Sequence, residues 1–190
     1  SPYTWIIDPL DGTNNFFKGL PHYAVSIGIS CDSQLIAGVV QNTAGDDLFY
    51  AEKGGGAYYN GSQIRVSSQD SLKNAMLFTG FHYDRGDYMR KTLQAIEYFF
   101  QKGIIGIRRT GCAALDLCYI AAGWCDGFWE HFLSPWDFSA GQLICEEAGG
   151  MMTDFSGLDI GLQKGSVIAS NKLLHSVLLK AIGRIYSGNQ

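Results

Sequence analysis

The chain has 190 residues, 46% of them hydrophobic and 17% charged, enough to bury a proper core as one large domain or two small ones. Fourteen Lys and Arg against 18 Asp and Glu leave a net charge of −4 with no basic run, which argues against direct nucleic-acid binding. No stretch reaches the roughly 18 uninterrupted apolar residues of a membrane helix and no signal peptide is visible, so no membrane association is expected.

The first informative stretch is 5–18, WIIDPLDGTNNFFK. Pro9 fixes φ and Gly12 admits unusual dihedrals, so the apolar strand at Trp5-Ile6-Ile7 is predicted to run into a tight turn at Asp8-Pro9-Leu10-Asp11. Two carboxylates three positions apart on such a turn can converge on one point. Hard cations such as Mg²⁺ take oxygen ligands of this kind, and the Leu10 carbonyl offers a third. Thr13, Asn14 and Asn15 suit the start of a helical turn whose free N–H groups attract phosphate. Taken alone, the same residues also fit an Asx-turn with two solvated acids.

Residues 23–31 and 35–41 read as a hairpin, as do 48–51 and 57–59 around Gly54-Gly55-Gly56, a turn rather than a nucleotide loop because no helix pattern follows. A turn at Asn60-Gly61 leads to a strand at 64–66. The portion 1–70 is therefore expected to be a largely antiparallel sheet, with a boundary inside 67–74. Over 71–190 strands and helices alternate: strands at 75–79, 104–107, 126–130 and 167–170, helices at 87–102, 113–123, 135–149 and 173–185. That alternation predicts an α/β portion. Five cysteines without a C-x-x-C pair, and the scattered His22, His82, His131 and His175, argue against a zinc site and a disulfide framework. Buried thiols in a reducing cytoplasm are the simpler reading.

Ser134-Pro135-Trp136-Asp137 is a good local helix start, with an N-cap serine, proline at the first helical position and an acid three residues on. By itself Asp137 reads as a capping residue, and Glu130 as a solvated acid at a strand end. Together, however, the segment W-I-I-D-P-L-D-G-T-x-N-F and the later P-W-D-F-S-A-G-x-L-I-x-E-E-A-G-G resemble the two signature segments of the inositol monophosphatase family, in the right order. The G-C-A-A-L-D-L and D-G-F-W-E segments between them extend the resemblance over the whole chain.

The resemblance implies a layered α-β-α-β-α sandwich and a Mg²⁺-dependent phosphomonoesterase, an inositol-phosphate phosphatase, with the 1–70 and 71–190 portions forming one phosphatase domain. Carried over by position, Asp8 bridges two metal ions with the Leu10 carbonyl completing one site, and Asp11 and Asp137 hold the second. Thr13 orients or helps deprotonate the attacking water, Gly12 and Thr13 N–H groups bind phosphate, and Ala113 and Glu130 grip sugar hydroxyls. It further implies a small phosphate monoester as substrate, a cytoplasmic homodimer and lithium sensitivity. The aromatics Phe99, Phe100, Tyr119, Trp124, Phe128 and Trp129 serve either a dimer interface or the core.

Two departures qualify the match. The family places a further metal-binding Glu, and an acidic partner for the motif threonine, before the W-I-I-D-P strand. This sequence starts at Ser1, so a fragment lacking N-terminal layer elements is expected. Lys18 stands where many members carry a His, which leaves open sugar- or nucleotide-bisphosphate relatives as an alternative. Another alternative is a family member acting chiefly as a partner of the transcription machinery, for which Arg108-Arg109 is the only candidate patch.

Overall fold

Alternation of small or polar residues with β-branched ones along the first third of the chain produces strands with one buried and one more open face. Six strands pair antiparallel in sequential order: β1 (Tyr3–Asp11), β2 (Ala24–Cys31), β3 (Gln34–Asn42), β4 (Asp47–Glu52), β5 (Gly56–Tyr59) and β6 (Ser62–Ile64). The structure is a computed structural model and describes every residue except 82, 84, 189 and 190, so His82 lies outside the described residues.

The Asp8–Asp11 segment differs from the sequence expectation. It does not leave the sheet as a turn but stays in β1, with an irregularity of register against β2 between Asp8 and Asp11. β1 is an edge strand, where a proline without an N–H is tolerated. The glycine-rich segment is the expected turn. Its Gly54 and Gly56 N–H groups donate to the two oxygens of Glu147 at 2.8 and 2.9 Å, fastening the β4–β5 hairpin to a distant helix.

The second sheet runs in the order β10 (Met151–Thr153), β11 (Gly165–Ser170), β9 (Gly127–Leu133), β7 (Met76–Thr79), β8 (Gly106–Arg108). It is mixed: β7 lies parallel to β8 and β9, while β11 is antiparallel to β9 and β10. β10 escaped the sequence because three residues carry no readable period. The expected strand 104–107 is shorter and starts two positions later, at 106. A short helix α1 (Thr13–Lys18) follows β1, and four longer ones follow: α2 (Asp87–Gln101), α3 (Ala113–Ala121), α4 (Pro135–Glu147) and α5 (His175–Ser187). Asn171 Oδ1 accepts the Leu174 N–H at 3.1 Å and so holds the turn that leads into α5. The junction at 67–74 is tied to the second sheet rather than free: Asn171 Nδ2 donates to Ser67 Oγ and to the Gln69 carbonyl at 2.9 and 2.7 Å.

Two cores result. One fills the space between the sheets, where Phe49 and Val40 from the first sheet meet Leu117, Ile144 and Phe128. The other joins Leu77, Trp129 and Ile168 on the far face of the second sheet to Phe99 and Leu178 of α2 and α5. The layers are thus sheet, α3 with α4, sheet, α2 with α5, and among the described residues no helix covers the outer face of the first sheet. Trp5 there is 62% exposed and Ile7 50%. Core packing accounts for Phe99, Phe128 and Trp129, whereas Phe100 and Trp124 stay half exposed. Among the described residues no helix is long and apolar enough to cross a membrane.

Close approach places the site. Gly28 and Gly38 face one another on β2 and β3, and a Cβ on Gly38 would lie 2.8 Å from the Ala140 carbonyl. Only bare backbone there lets α4 settle on the sheet, with its first turn beside the end of β1.

Candidate active site and metal centre

Asp8 and Asp11 sit at the end of β1, and Asp137 on the first turn of α4. Although 126 positions separate Asp11 from Asp137 in the sequence, one carboxylate oxygen from each of the three lies within 4.8 Å of the others. Local bonds aim them. The Leu10 N–H donates to Asp8 Oδ1 at 2.9 Å, the Ala114 N–H to Asp11 Oδ2 at 2.8 Å, and the Ser134 N–H to Asp137 Oδ2 at 2.7 Å. The last is the capping bond read from the sequence, so Asp137 caps its helix and faces the other acids at once.

Gly12 follows with φ +84°, and a Cβ there would meet the His22 carbonyl at 3.0 Å, so both conformation and space require glycine. It starts α1. The Thr13 hydroxyl, expected to orient water, donates here to the Leu10 carbonyl at 3.0 Å. Asn15, buried, donates to the carbonyls of His22 and Thr110 at 2.7 and 2.9 Å, tying α1 to the loop before α3. Asp116 anchors that loop from the other side by accepting the Thr110 hydroxyl at 2.5 Å.

Asp8, Leu10, Asp11, Gly12, Thr13, Asp116 and Asp137 line a cavity of about 410 Å³. Ala113, at the start of α3, lies on its wall, and the Glu130 carboxylate rests directly against Gly80. Glu130 is not at the strand end as expected, because β9 continues to Leu133 past a bulge that the sequence does not announce. Gly80, Asp116, Trp136 and Lys164 are cavity residues that sequence reasoning missed. The only local signal was an acid inside the otherwise apolar helix A-A-L-D-L. Arg109, read as a patch residue, also belongs to the cavity wall.

Among the described residues, five carboxylates and two cations, Arg109 and Lys164, line this cavity. Burial pushes Asp11 up to about 6, with the charges of Asp137 and Asp8 adding to it and the Ala114 N–H opposing. Glu130 rises to about 8 through burial and the charge of Asp11, against the pull of Arg109. Burial likewise raises Asp137 and, well above the usual range, Asp116. Acids crowded to this degree are relieved by a hard divalent cation, for which carboxylate and carbonyl oxygens are the fitting donors.

The family model for the inositol monophosphatase family matches residues 1–187. An inositol-1-monophosphatase of Mesorhizobium japonicum is 43% identical over 183 residues, spanning 96% of this chain and 68% of that protein. The Nus factor SuhB of Pseudomonas aeruginosa is 44% identical over 95% of this chain and 67% of its own length. Among solved structures, an IMPase of Thermotoga maritima superposes with a TM-score of 0.91 at 38% identity, over 99% of this chain and 71% of that one. The extragenic suppressor protein SuhB of Bartonella henselae does so with a TM-score of 0.91 at 41% identity, covering 96% and 69%. Phosphatases of this kind are generally metal-dependent, which agrees with the acidic cluster at the base of the cavity. From the two-sheet architecture, the clustered acids and these likenesses, the chain belongs to the inositol monophosphatase family.

Proposed function

We propose that the protein is a Mg²⁺-dependent phosphomonoesterase that hydrolyses myo-inositol 1-phosphate, or a similar polyol phosphate, to the alcohol and phosphate. The observation that carries this is the convergence of Asp8, Asp11 and Asp137 at the base of a cavity whose wall holds Glu130. We treat the 1–70 and 71–190 portions as one phosphatase domain, supported by the core that fills the space between their sheets.

Asp8, the Leu10 carbonyl, Asp11 and Asp137 are the residues to hold the metal. When bound, divalent cations supply positive charge to the phosphoryl and leaving oxygens and lower the pKa of a water. The chain does the rest. Gly12 and Thr13 N–H groups bind phosphate oxygens, and the Thr13 hydroxyl, 3.0 Å from the Leu10 carbonyl, orients the water. Glu130 and the Ala113 wall hold the vicinal hydroxyls of the leaving alcohol, which sets specificity more than rate.

Phosphate release from myo-inositol 1-phosphate with Mg²⁺, and its loss with EDTA, tests this reading; metal-independent release overturns it. The family resemblance extends the proposal to a cytoplasmic, lithium-sensitive homodimer, for which sedimentation and LiCl inhibition are the checks. A second reading, a partner of the transcription machinery, is favoured by the Nus factor name carried by the P. aeruginosa relative. Failure to retain RNA polymerase or antitermination factors in a pull-down counts against it.

A further inference from the structure

Phe132 is held in a backbone conformation that a bulky side chain rarely adopts. Its φ is +65°, in the left-handed region where an L side chain crowds its own backbone. The cause lies in the pairing of β9 with β11. Glu130 opposes Val167 and Leu133 opposes Gly165, so two residues of β9 answer one of β11. This is a β-bulge, and the left-handed position of such a bulge is filled without strain by glycine. Here it carries a phenylalanine that lines the cavity, two residues after Glu130.

The ring is fixed rather than loose. Tyr88 of α2 meets it edge-on at 5.6 Å between centroids and His131 packs at 4.0 Å. Lys164 Nζ stands 5.6 Å from the ring centroid, a cation–π distance, and Lys164 also lines the cavity. Phe132 nevertheless stays 37% exposed, and Trp136, which also lines the cavity, is 51% exposed. Bulges beside active sites re-aim side chains, and a strained residue persists where its surroundings over-determine it. The bulge thus lies between Glu130 and Leu133 and carries Phe132 into the lining of the cavity that also holds Glu130.

We propose that Phe132, with Trp136, forms an aromatic wall that selects phosphate esters whose leaving group presents an apolar or aromatic face. Phe132 is a specificity-determining residue in this account. The inference rests on the phosphomonoesterase reading of the cavity and names a substrate class within it. Aromatic contacts of this kind are worth a factor of about three to ten in affinity.

The test compares 2-naphthyl phosphate with glycerol 2-phosphate as substrates of the intact protein, its Phe132→Gly variant and its Phe132→Tyr variant, at saturating Mg²⁺. Phe132→Gly is expected to lower the kcat/KM preference for the naphthyl ester about three- to tenfold, through KM with kcat little changed. Phe132→Tyr, which keeps the ring, is expected to retain the preference. An unchanged preference in Phe132→Gly, or an equal loss in Phe132→Tyr, overturns the proposal. If the protein hydrolyses neither ester, release from myo-inositol 1-phosphate decides the phosphatase reading separately. Equilibrium binding of 2-naphthyl phosphate, followed by its fluorescence, then decides the aromatic wall: equal affinity of wild type and Phe132→Gly refutes it, and a three- to tenfold loss upholds it.

Discussion

Replacing Gly80 by alanine perturbs the candidate site at a single, measurable contact. A Cβ on Gly80 would lie 1.8 Å from Glu130 Oε2, 2.1 Å from its Cδ and 2.3 Å from Oε1. Ordinary van der Waals contact begins near 3.4 Å, so the carboxylate must retreat by about 1.6 Å (3.4 − 1.8). A hydrogen bond tolerates only a few tenths of an ångström, so any bond from a substrate hydroxyl to Glu130 is lost. At pH 9, above the raised value of about 8, Glu130 is a carboxylate, and a bond to a charged group contributes about 1.5–3 kcal/mol, which corresponds to about a 10- to 150-fold fall in kcat/KM. The fall is expected for myo-inositol 1-phosphate. For phenyl phosphate, which has no vicinal hydroxyl, the change should stay within about threefold, because the three atoms nearest the new Cβ all belong to Glu130. The assay is phosphate release over a range of both esters, with a melting curve to confirm the fold. An equal loss on both esters, or none on either, would refute the assignment of Glu130 to the hydroxyls.

Asp137→Asn removes one of three converging carboxylates while keeping an oxygen for the Ser134 N–H, and should weaken Mg²⁺ binding at least tenfold by titration calorimetry without a large change in melting temperature. The raised carboxyls of Asp11, about 6, and Glu130, about 8, mean that the folded state holds protons the unfolded state has released. Their contribution is full below the ordinary carboxylate range and is lost as pH rises through about 6 and then about 8, so the metal-free protein should melt lower at pH 8.5 than at pH 5. Glu130→Gln should flatten the upper part of that decline, and a melting temperature that rises steadily with pH would contradict it. His175 shifts the other way. Buried between Ser170 Oγ at 3.0 Å and Thr153 Oγ1 at 2.9 Å, it has its pKa lowered by burial. Its contribution is full above the unfolded value of 6.5 and falls as pH drops below it, a slope that His175→Gln should remove from the melting profile between pH 7 and 5.

Much of the architecture is legible because it is local. Strand alternation in β2 and β3, the helix read over 87–102, the glycine turn at 54–56 and the Ser134-Pro135 helix start are patterns within a few residues, and each appears in the fold. Where local rules misled, a tertiary constraint won. Asp8-Pro9-Leu10-Asp11 has turn chemistry, yet β1 lies at a sheet edge that accepts proline, and β2 holds it extended. β10 is three residues long and exists only because β11 pairs with it.

The sequence by itself determined which residues are available to the site: the acid pair at Asp8 and Asp11, the helix-starting Asp137, Gly12 and Thr13, and the resemblance carried by the two motifs. It could not decide their distances. Only the folded chain brings Asp137 to Asp11, through a helix seated on Gly28 and Gly38. Only the fold places bare Gly80 against Glu130, ties Asn15 to Thr110, and bulges β9 so that Phe132 lines the cavity. The physical reason is one of range. Periodicity, caps and turns are fixed by neighbours along the chain, whereas a carboxylate's partners and its pKa are fixed by what the two cores press against it.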